Sequence, residues 1–238
     1  NKPDLVDIYV LEMNPDNPNQ YRLDGAWRDL EVGEVKLKLK LWGFIPWSVK
    51  REVLRSMHGP ALRTKHGVYA IRYAGIDEMK QVEQWLAMNK AKNFEEWRAA
   101  VALNHIQSFN FVYANRHGDI HFIHNAQLPV RAPDWNWQQY LPGDRSDLIW
   151  QRYHPTSVLP QVTNPGSGFV HSANQTPFNI TEPQDNPQPN AVPADGGWQT
   201  RMTNRATRGL ELFADFEQIS FDEAWELKHD NNYSANYR

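Results

Sequence analysis

The sequence predicts an α+β protein on three observations. Strand signals fill the first 75 residues, two helical patterns and a hairpin follow, and the chain turns helical again only after a long irregular stretch. Strands grouped ahead of helices, instead of alternating with them, favour antiparallel sheets with segregated helices over a parallel α/β sheet.

The elements follow in order. Asp7 to Met13 is an extended apolar run. Tyr21 to Leu30 contains Asp24-Gly25, a pair suited to a two-residue hairpin because both positions tolerate positive φ. Val35 to Leu41 alternates strictly, which predicts a half-buried strand with Lys36, Lys38 and Lys40 protecting the solvent side. Val68 to Tyr73 is a further strand. Asp77 can cap a helix that carries Met79, Val82, Trp85 and Leu86 on one face. Asn93 with Glu96 opens a second helix holding Phe94, Trp97 and Val101. Phe109 to Tyr113 and Ile120 to His124 pair as a hairpin across Asn115-Arg116-His117-Gly118-Asp119. Periodicity is lost from Pro129 to Pro193, and residues 181–197 form a polar loop with prolines at 183, 187, 189 and 193. A loop of this length lines a site or is disordered. Met202, Ala206, Leu210 and Phe213 then share a helical face, and Ser220-x-x-Glu223 caps a last segment with Phe221, Ala224 and Trp225.

Composition narrows the function. The 238 residues suit one large domain or two small ones, and 40% apolar content with 10 Trp, 10 Phe and 9 Tyr supplies ample core. A net charge of −3 gives no basic field for a phosphate backbone, so nucleic acid is not an expected partner. The absence of cysteine excludes disulfides, thiolate metal sites and a Cys nucleophile. No apolar run approaches the ~20 residues of a membrane span, and Asn1-Lys2-Pro3-Asp4 opens on no signal-peptide core.

Histidine and serine chemistry is also constrained. His121 and His124 are three apart on a strand, so they point to opposite faces and cannot share a metal. His58 and His66 have no carboxylate at metal-ligand spacing. Ser167 sits in Gly166-Ser167-Gly168, without the spacing of a nucleophile elbow.

Two blocks carry more information. One is Asn164-Pro165-Gly166-Ser167-Gly168-Phe169-Val170 with Asn174-Gln175-Thr176-Pro177 after it; the other is Phe109-Asn110-Phe111-Val112-Tyr113-Ala114-Asn115 with Gly118-Asp119-Ile120. Their order and spacing resemble the penicillin-amidase family of N-terminal-nucleophile hydrolases, especially its acyl-homoserine-lactone and aculeacin-type acylases. Resemblance covers residues 4 to 230, strongest over 85 to 178. It implies part of a four-layer αββα sandwich, with residues 1–238 a portion of one catalytic domain. It also implies hydrolysis of a small-molecule N-acyl amide by a serine exposed through autocleavage, whose own α-amine is the general base.

In that family the asparagine matching Asn174 donates to the oxyanion. The arginine matching Arg205 orients it, with Arg201 and Arg208 as rival candidates because the loop length is uncertain. Trp85 and Phe109 match residues lining the acyl pocket. Asp4, the Val6 carbonyl and Asp7 match part of a calcium site in the penicillin G branch. No organic cofactor is implied. Closer relatives read Asn-x-Asn-Asp where this chain has Ser172-Ala173-Asn174-Gln175. The nucleophile would lie upstream of Asn1, so the expected partners are the α chain and the N-terminal part of the β chain of the same precursor. Alone, this chain is then expected to be inactive and prone to self-association. The resemblance implies a periplasmic or secreted protein. A reading from another class is a non-catalytic binding or scaffold module, its tryptophans forming an aromatic cleft.

Overall fold

A computed structural model of the chain describes residues 4–214 and 218–237. In chain order the strands are β1 (Val6–Leu11), β2 (Gln20–Leu23), β3 (Ala26–Asp29), β4 (Glu31–Leu41), β5 (Ile45–Ser56), β6 (Gly59–Thr64), β7 (Gly67–Tyr73), β8 (Ser108–Ala114), β9 (Ile120–Ala126), β10 (Leu141–Pro142) and β11 (Gln161–Thr163). The helices are α1 (Gln81–Lys90), α2 (Phe94–Val101), α3 (Asn204–Ala214) and α4 (Phe221–Lys228). They sort into two compact units. The first holds Leu5–Ile76 and Pro129–Arg152; the second holds Asp77–Leu128 and Tyr153–Arg238, with Asp4. Strands and helices in this arrangement make the chain α+β.

The first unit is built on a six-stranded sheet in the order β10-β1-β7-β6-β5-β4. Every pairing is antiparallel except the short parallel match of β1 with β10. Beside it β2 and β3 form the hairpin expected at Asp24-Gly25, where φ is 51° and 79°. On β1 the alternate residues Asp7, Tyr9 and Leu11 face inward, against Leu54, Val68, Ala70, Leu141 and Leu148. Tyr9 settles its hydroxyl by donating to the Leu148 carbonyl at 2.8 Å.

Strand alternation therefore sends a carboxylate into the core, and a buried charge needs a partner. Arg131 supplies it: Nε donates to Asp7 Oδ2 and Nη2 to Oδ1, both at 3.1 Å. Trp150 Nε1 adds a third donor to Oδ2 at 2.6 Å.

The expectation of a half-buried β4 is corrected. All of β4 is exposed, apolar and lysine faces alike, with Leu37 43% and Leu39 46% accessible. β4 is the sheet's edge strand, and β6 pairs β5 only at Leu54, Arg55 and Ser56. The rest of the β4–β5 hairpin runs past the sheet and has no layer to bury its Val-Leu-Leu-Leu face. At its tip Trp42 and Phe44 are also exposed.

The second unit holds a three-stranded antiparallel sheet, β11-β9-β8, whose central hairpin is the one expected from sequence. Its core joins Met88, Phe94, Trp97, Ala100, Val101 and Ile106 to Phe111 and Ile123. Asn93 caps α2 by accepting from the Glu96 backbone N–H at 2.9 Å, and α4 carries a complete capping box between Ser220 and Glu223.

α1 departs from expectation in its start and its face. Lys80 occupies the cap position with no side-chain hydrogen bond, and Met79, Val82 and Leu86 are exposed. The helix buries Gln84 and Met88 instead. Gln84 is drawn in because its amide serves the turn after α2: Oε1 accepts from the His105 and Ile106 N–H groups, and Nε2 donates to the Val101 carbonyl. Peptide groups with no helical partner outrank an apolar stripe here.

Removing one partner of a buried ion pair costs about 3–5 kcal/mol, because the other charge is left uncompensated. Arg131→Ala and Asp7→Asn should each lower the free energy of unfolding by about that amount in denaturant titration. The double variant Asp7→Leu/Arg131→Met should recover most of the loss. Additive destabilisation would show that the two side chains are not an energetic unit.

Candidate functional site

The site lies within the second unit, where the loop after β11 meets the β8–β9 hairpin on one side and α3 on the other. Asn164 begins the loop with φ 48°, a left-handed conformation that asparagine tolerates better than most side chains. Its Oδ1 accepts from the Ile120 N–H at 2.8 Å and its Nδ2 donates to Asp119 Oδ1 at 3.2 Å, stitching the loop to the end of the hairpin. Amide donation from Asn115 and Asn164 holds the Asp119 carboxyl below its ordinary range. The Ser167 hydroxyl is engaged with Thr181 Oγ1 at 2.5 Å, and its N–H donates to Asp185 at 2.8 Å.

Asn174 follows, again left-handed at φ 59° and exposed. Arg205, in the first turn of α3, donates Nη2 to both Asn174 Oδ1 and the Ala173 carbonyl, each at 2.8 Å. Because the guanidinium can only donate, the amide oxygen must face it. The amide N–H₂ is thereby turned to the opposite edge. The rival arginines are elsewhere: Arg201 reaches Tyr237 Oη at 3.4 Å, and Arg208 is ion-paired with Asp230 at 2.8 Å.

Trp85 and Phe109 are in contact, edge to face with ring centroids 5.5 Å apart, and Trp85 meets Phe111 in the same way. Phe111 is buried, whereas Trp85 and Phe109 keep 37% and 51% of their surface open. They form an apolar wall on a packed base.

Asn110, next to Phe109 on β8, was not singled out from sequence. Its Nδ2 donates to Ser172 Oγ at 3.1 Å, and its Oδ1 accepts from His124 Nδ1 at 2.5 Å. Alternation along a strand puts Phe109 and Asn110 on opposite faces, so one strand carries the aromatic wall and a tie to the Asn174 loop. A cavity of about 640 Å³ opens beside the loop, bordered by Ser172, Ala173 and Arg205 and walled by Leu212, Phe213 and Leu227. That volume suits a small molecule.

His121 and His124 find separate partners, Thr163 Oγ1 at 2.8 Å and Asn110. Of the residues matched to calcium ligands, Asp7 has its carboxylate engaged by Arg131 and Trp150. Among the described residues no group of three or more His, Cys, Asp or Glu could hold a metal. Calcium needs six to eight oxygen ligands, and the carboxylate at Asp7, as arranged, does not fit that requirement.

The fold is that of part of a penicillin G acylase. It superposes on a thermostable penicillin G acylase from Alcaligenes faecalis with a TM-score of 0.71 at 24% identity, covering 95% of this chain and 39% of that one. The penicillin amidase family profile matches residues 1–238, and the chain belongs to that family. Penicillin G acylase of Escherichia coli is 28% identical over 178 residues, 73% of this chain. An acyl-homoserine lactone acylase, PvdQ, of Pseudomonas fluorescens is 29% identical over 101 residues, 40% of this chain. The chain spans 20% and 13% of the lengths of those two relatives.

Burial pushes the imidazoles of His121 and His124 down to about 4, with the charge of Arg98 adding to the effect at His121. Unfolded, each would titrate at its ordinary 6.5. Between those values the unfolded chain binds more protons than the folded one, so stability falls as pH falls from about 6.5 towards 4. At pH 7 the groups contribute no such penalty. The melting temperature should drop through this window, and His124→Gln should flatten the slope whatever it does to the absolute value. An unchanged slope would mean that His124 charges freely in the folded state.

Proposed function

We propose that this chain supplies the oxyanion donor and part of the acyl-binding wall of an N-acyl amide hydrolase. The observation that carries the reading is the clamp of Arg205 on Asn174, which presents an oriented, neutral amide N–H₂. The Trp85 and Phe109 wall holds the fatty or aromatic acyl group. The scissile carbonyl then lies at Asn174. A serine hydroxyl, contributed with its α-amine by polypeptide outside these 238 residues, attacks the carbonyl carbon. The electron pair displaced onto oxygen is met by the Asn174 N–H; collapse expels the amine, and water releases the acyl group. Arg205 stays bound to Oδ1 throughout and prevents the amide from flipping. No organic cofactor enters this scheme, and no step runs through a cation.

Membership of the penicillin amidase family supports the reaction class, and the two relatives supply the substrates to try: acyl-homoserine lactones and penicillin G. No helix among the described residues is long and apolar enough to cross a membrane; a periplasmic or secreted setting is part of the proposal.

The test uses the full-length protein encoded with this chain. Asn174→Ala should lower kcat by about 10²–10³-fold, the usual loss of one oxyanion donor, with KM little changed. Trp85→Ala and Phe109→Ala should instead raise KM, more for long or aromatic acyl groups than for acetyl. The isolated 238-residue chain should give no turnover. Activity of that chain alone, or full activity in Asn174→Ala, would overturn the scheme. Substrate binding with no hydrolysis by the full-length protein would favour the binding-module reading.

A further inference from the structure

The segment that carries Asn174 runs along α3 with a fixed correspondence of two residues to four. Phe169 stacks on Phe213 with ring centroids 4.9 Å apart. His171 meets the edge of Phe213 at 5.9 Å and lies against Gly209. Ala173 and Asn174 take both hydrogen bonds from Arg205. Two residues of chain span at most about 7 Å and four residues of helix advance about 6.0 Å. Steps 169, 171 and 173 therefore keep pace with 213, 209 and 205, and the spacing at the middle contact sets the reach of Arg205 at the end.

That middle contact is close, although both residues also border the cavity beside the loop. A Cβ at Gly209 would stand 2.6 Å from His171 Nε2 and 2.8 Å from Cδ2. The ring is held in place. Gln175 Nε2 donates to His171 Nδ1 at 2.8 Å, and the His171 N–H donates to the Ile180 carbonyl at 2.9 Å. Gln175 is itself buried, with its Oε1 accepting from the Ala173 N–H at 2.6 Å and its Nε2 also donating to the Asn179 carbonyl at 3.1 Å. This orientation makes His171 Nδ1 an acceptor and places the ring proton on Nε2, the side turned to α3. One glutamine amide thus joins the imidazole that spaces the helix to the peptide preceding Asn174.

We infer that Gly209, His171 and Gln175 are positioning residues for the oxyanion donor: they set the separation of α3 from the loop at which Arg205 reaches Asn174 and Ala173 together. None of the three need touch substrate. The inference rests on the function proposed above for Asn174, and it adds three residues that act through Arg205. A methyl group at 209 must move either α3 or His171. Loss of the Gln175 amide releases the loop from within.

The full-length protein is assayed as wild type, Gly209→Ala, Gln175→Ala, Asn174→Ala and Asn174→Ala/Gly209→Ala. Gly209→Ala and Gln175→Ala should each lower kcat by about 10- to 100-fold with KM nearly unchanged, the size expected of a misplaced group. Gly209→Ala should cost nothing further once Asn174 is alanine, because the group it misplaces is gone. Alanine favours helix over glycine, so a kcat loss without a lower melting temperature separates positioning from unfolding. Independent, multiplying losses in the double variant would overturn the inference. A crystal structure of Gly209→Ala gives a readout free of activity: the Arg205 Nη2 to Asn174 Oδ1 distance should exceed 3.5 Å, and an unchanged distance would overturn the inference. If Asn174→Ala alone keeps full activity, the functional reading fails, and that distance still decides the positioning.

Discussion

Between β11 and α3 the chain runs with no sheet ladder and no helix beyond two three-residue 3₁₀ turns, yet part of it is buried, and buried peptide groups must find partners. Side-chain amides meet that demand. Asn186 is the fullest case: its Oδ1 accepts from the Ile180 and Thr181 N–H groups, and its Nδ2 donates to the Thr181 and Glu182 carbonyls. Asn164 pins the start of the loop, Asp185 holds Ser167, and Gln175 holds the stretch before Asn174. Without such substitutes for a ladder, the loop would have to stay in water and could not hold a reactive geometry. The Asn- and Gln-rich composition of this region is therefore its scaffold.

Asn174 follows from the same constraint. A left-handed backbone lets the chain turn sharply enough to meet α3, and asparagine tolerates that conformation at modest cost. The amide then needs its oxygen fixed if its nitrogen is to be a dependable donor, because an unrestrained amide can present either end. A lysine could give a charge, but a guanidinium presents fixed, planar donors. Arg205 spends one nitrogen on two acceptors, the Ala173 peptide and the Asn174 side chain, so backbone and amide are oriented together.

Local signals in the sequence suffice where a few adjacent residues decide the outcome: the Asp24-Gly25 turn, the Asn93 and Ser220 caps, and the β8–β9 hairpin. They failed where a neighbour far along the chain decides. β4 has the alternation of a half-buried strand, but whether anything covers it depends on how far β6 extends along β5. The apolar stripe of α1 lost to Gln84, whose partners at Val101, His105 and Ile106 lie at and beyond the end of a second helix. At the site, the contact of Arg205 with Asn174 is expected only through family resemblance; periodicity and spacing give no ground for choosing among Arg201, Arg205 and Arg208. Asn110 was hidden because its partner Ser172 is 62 residues away. An asparagine between two aromatic residues on a strand was the one available hint.

That asparagine also bears on how binding and chemistry are joined. Phe109 faces the aromatic wall, and Asn110 faces the loop that presents Asn174, so a shift of β8 moves both. Asn110 cannot rotate to absorb such a shift without giving up Ser172 or His124. His124 is buried and kept neutral, and its Nδ1–H fixes which end of the Asn110 amide points at Ser172. Under the function proposed above, an acyl group that seats well against Trp85 and Phe109 leaves the strand undisturbed and the loop in register with α3. One that pushes on Phe109 displaces the tie to the loop as well. Under the same proposed function, discrimination between acyl groups would fall on kcat as well as on KM, because Phe109 of the wall and Asn110, which ties down the Asn174 loop, are neighbours on one strand.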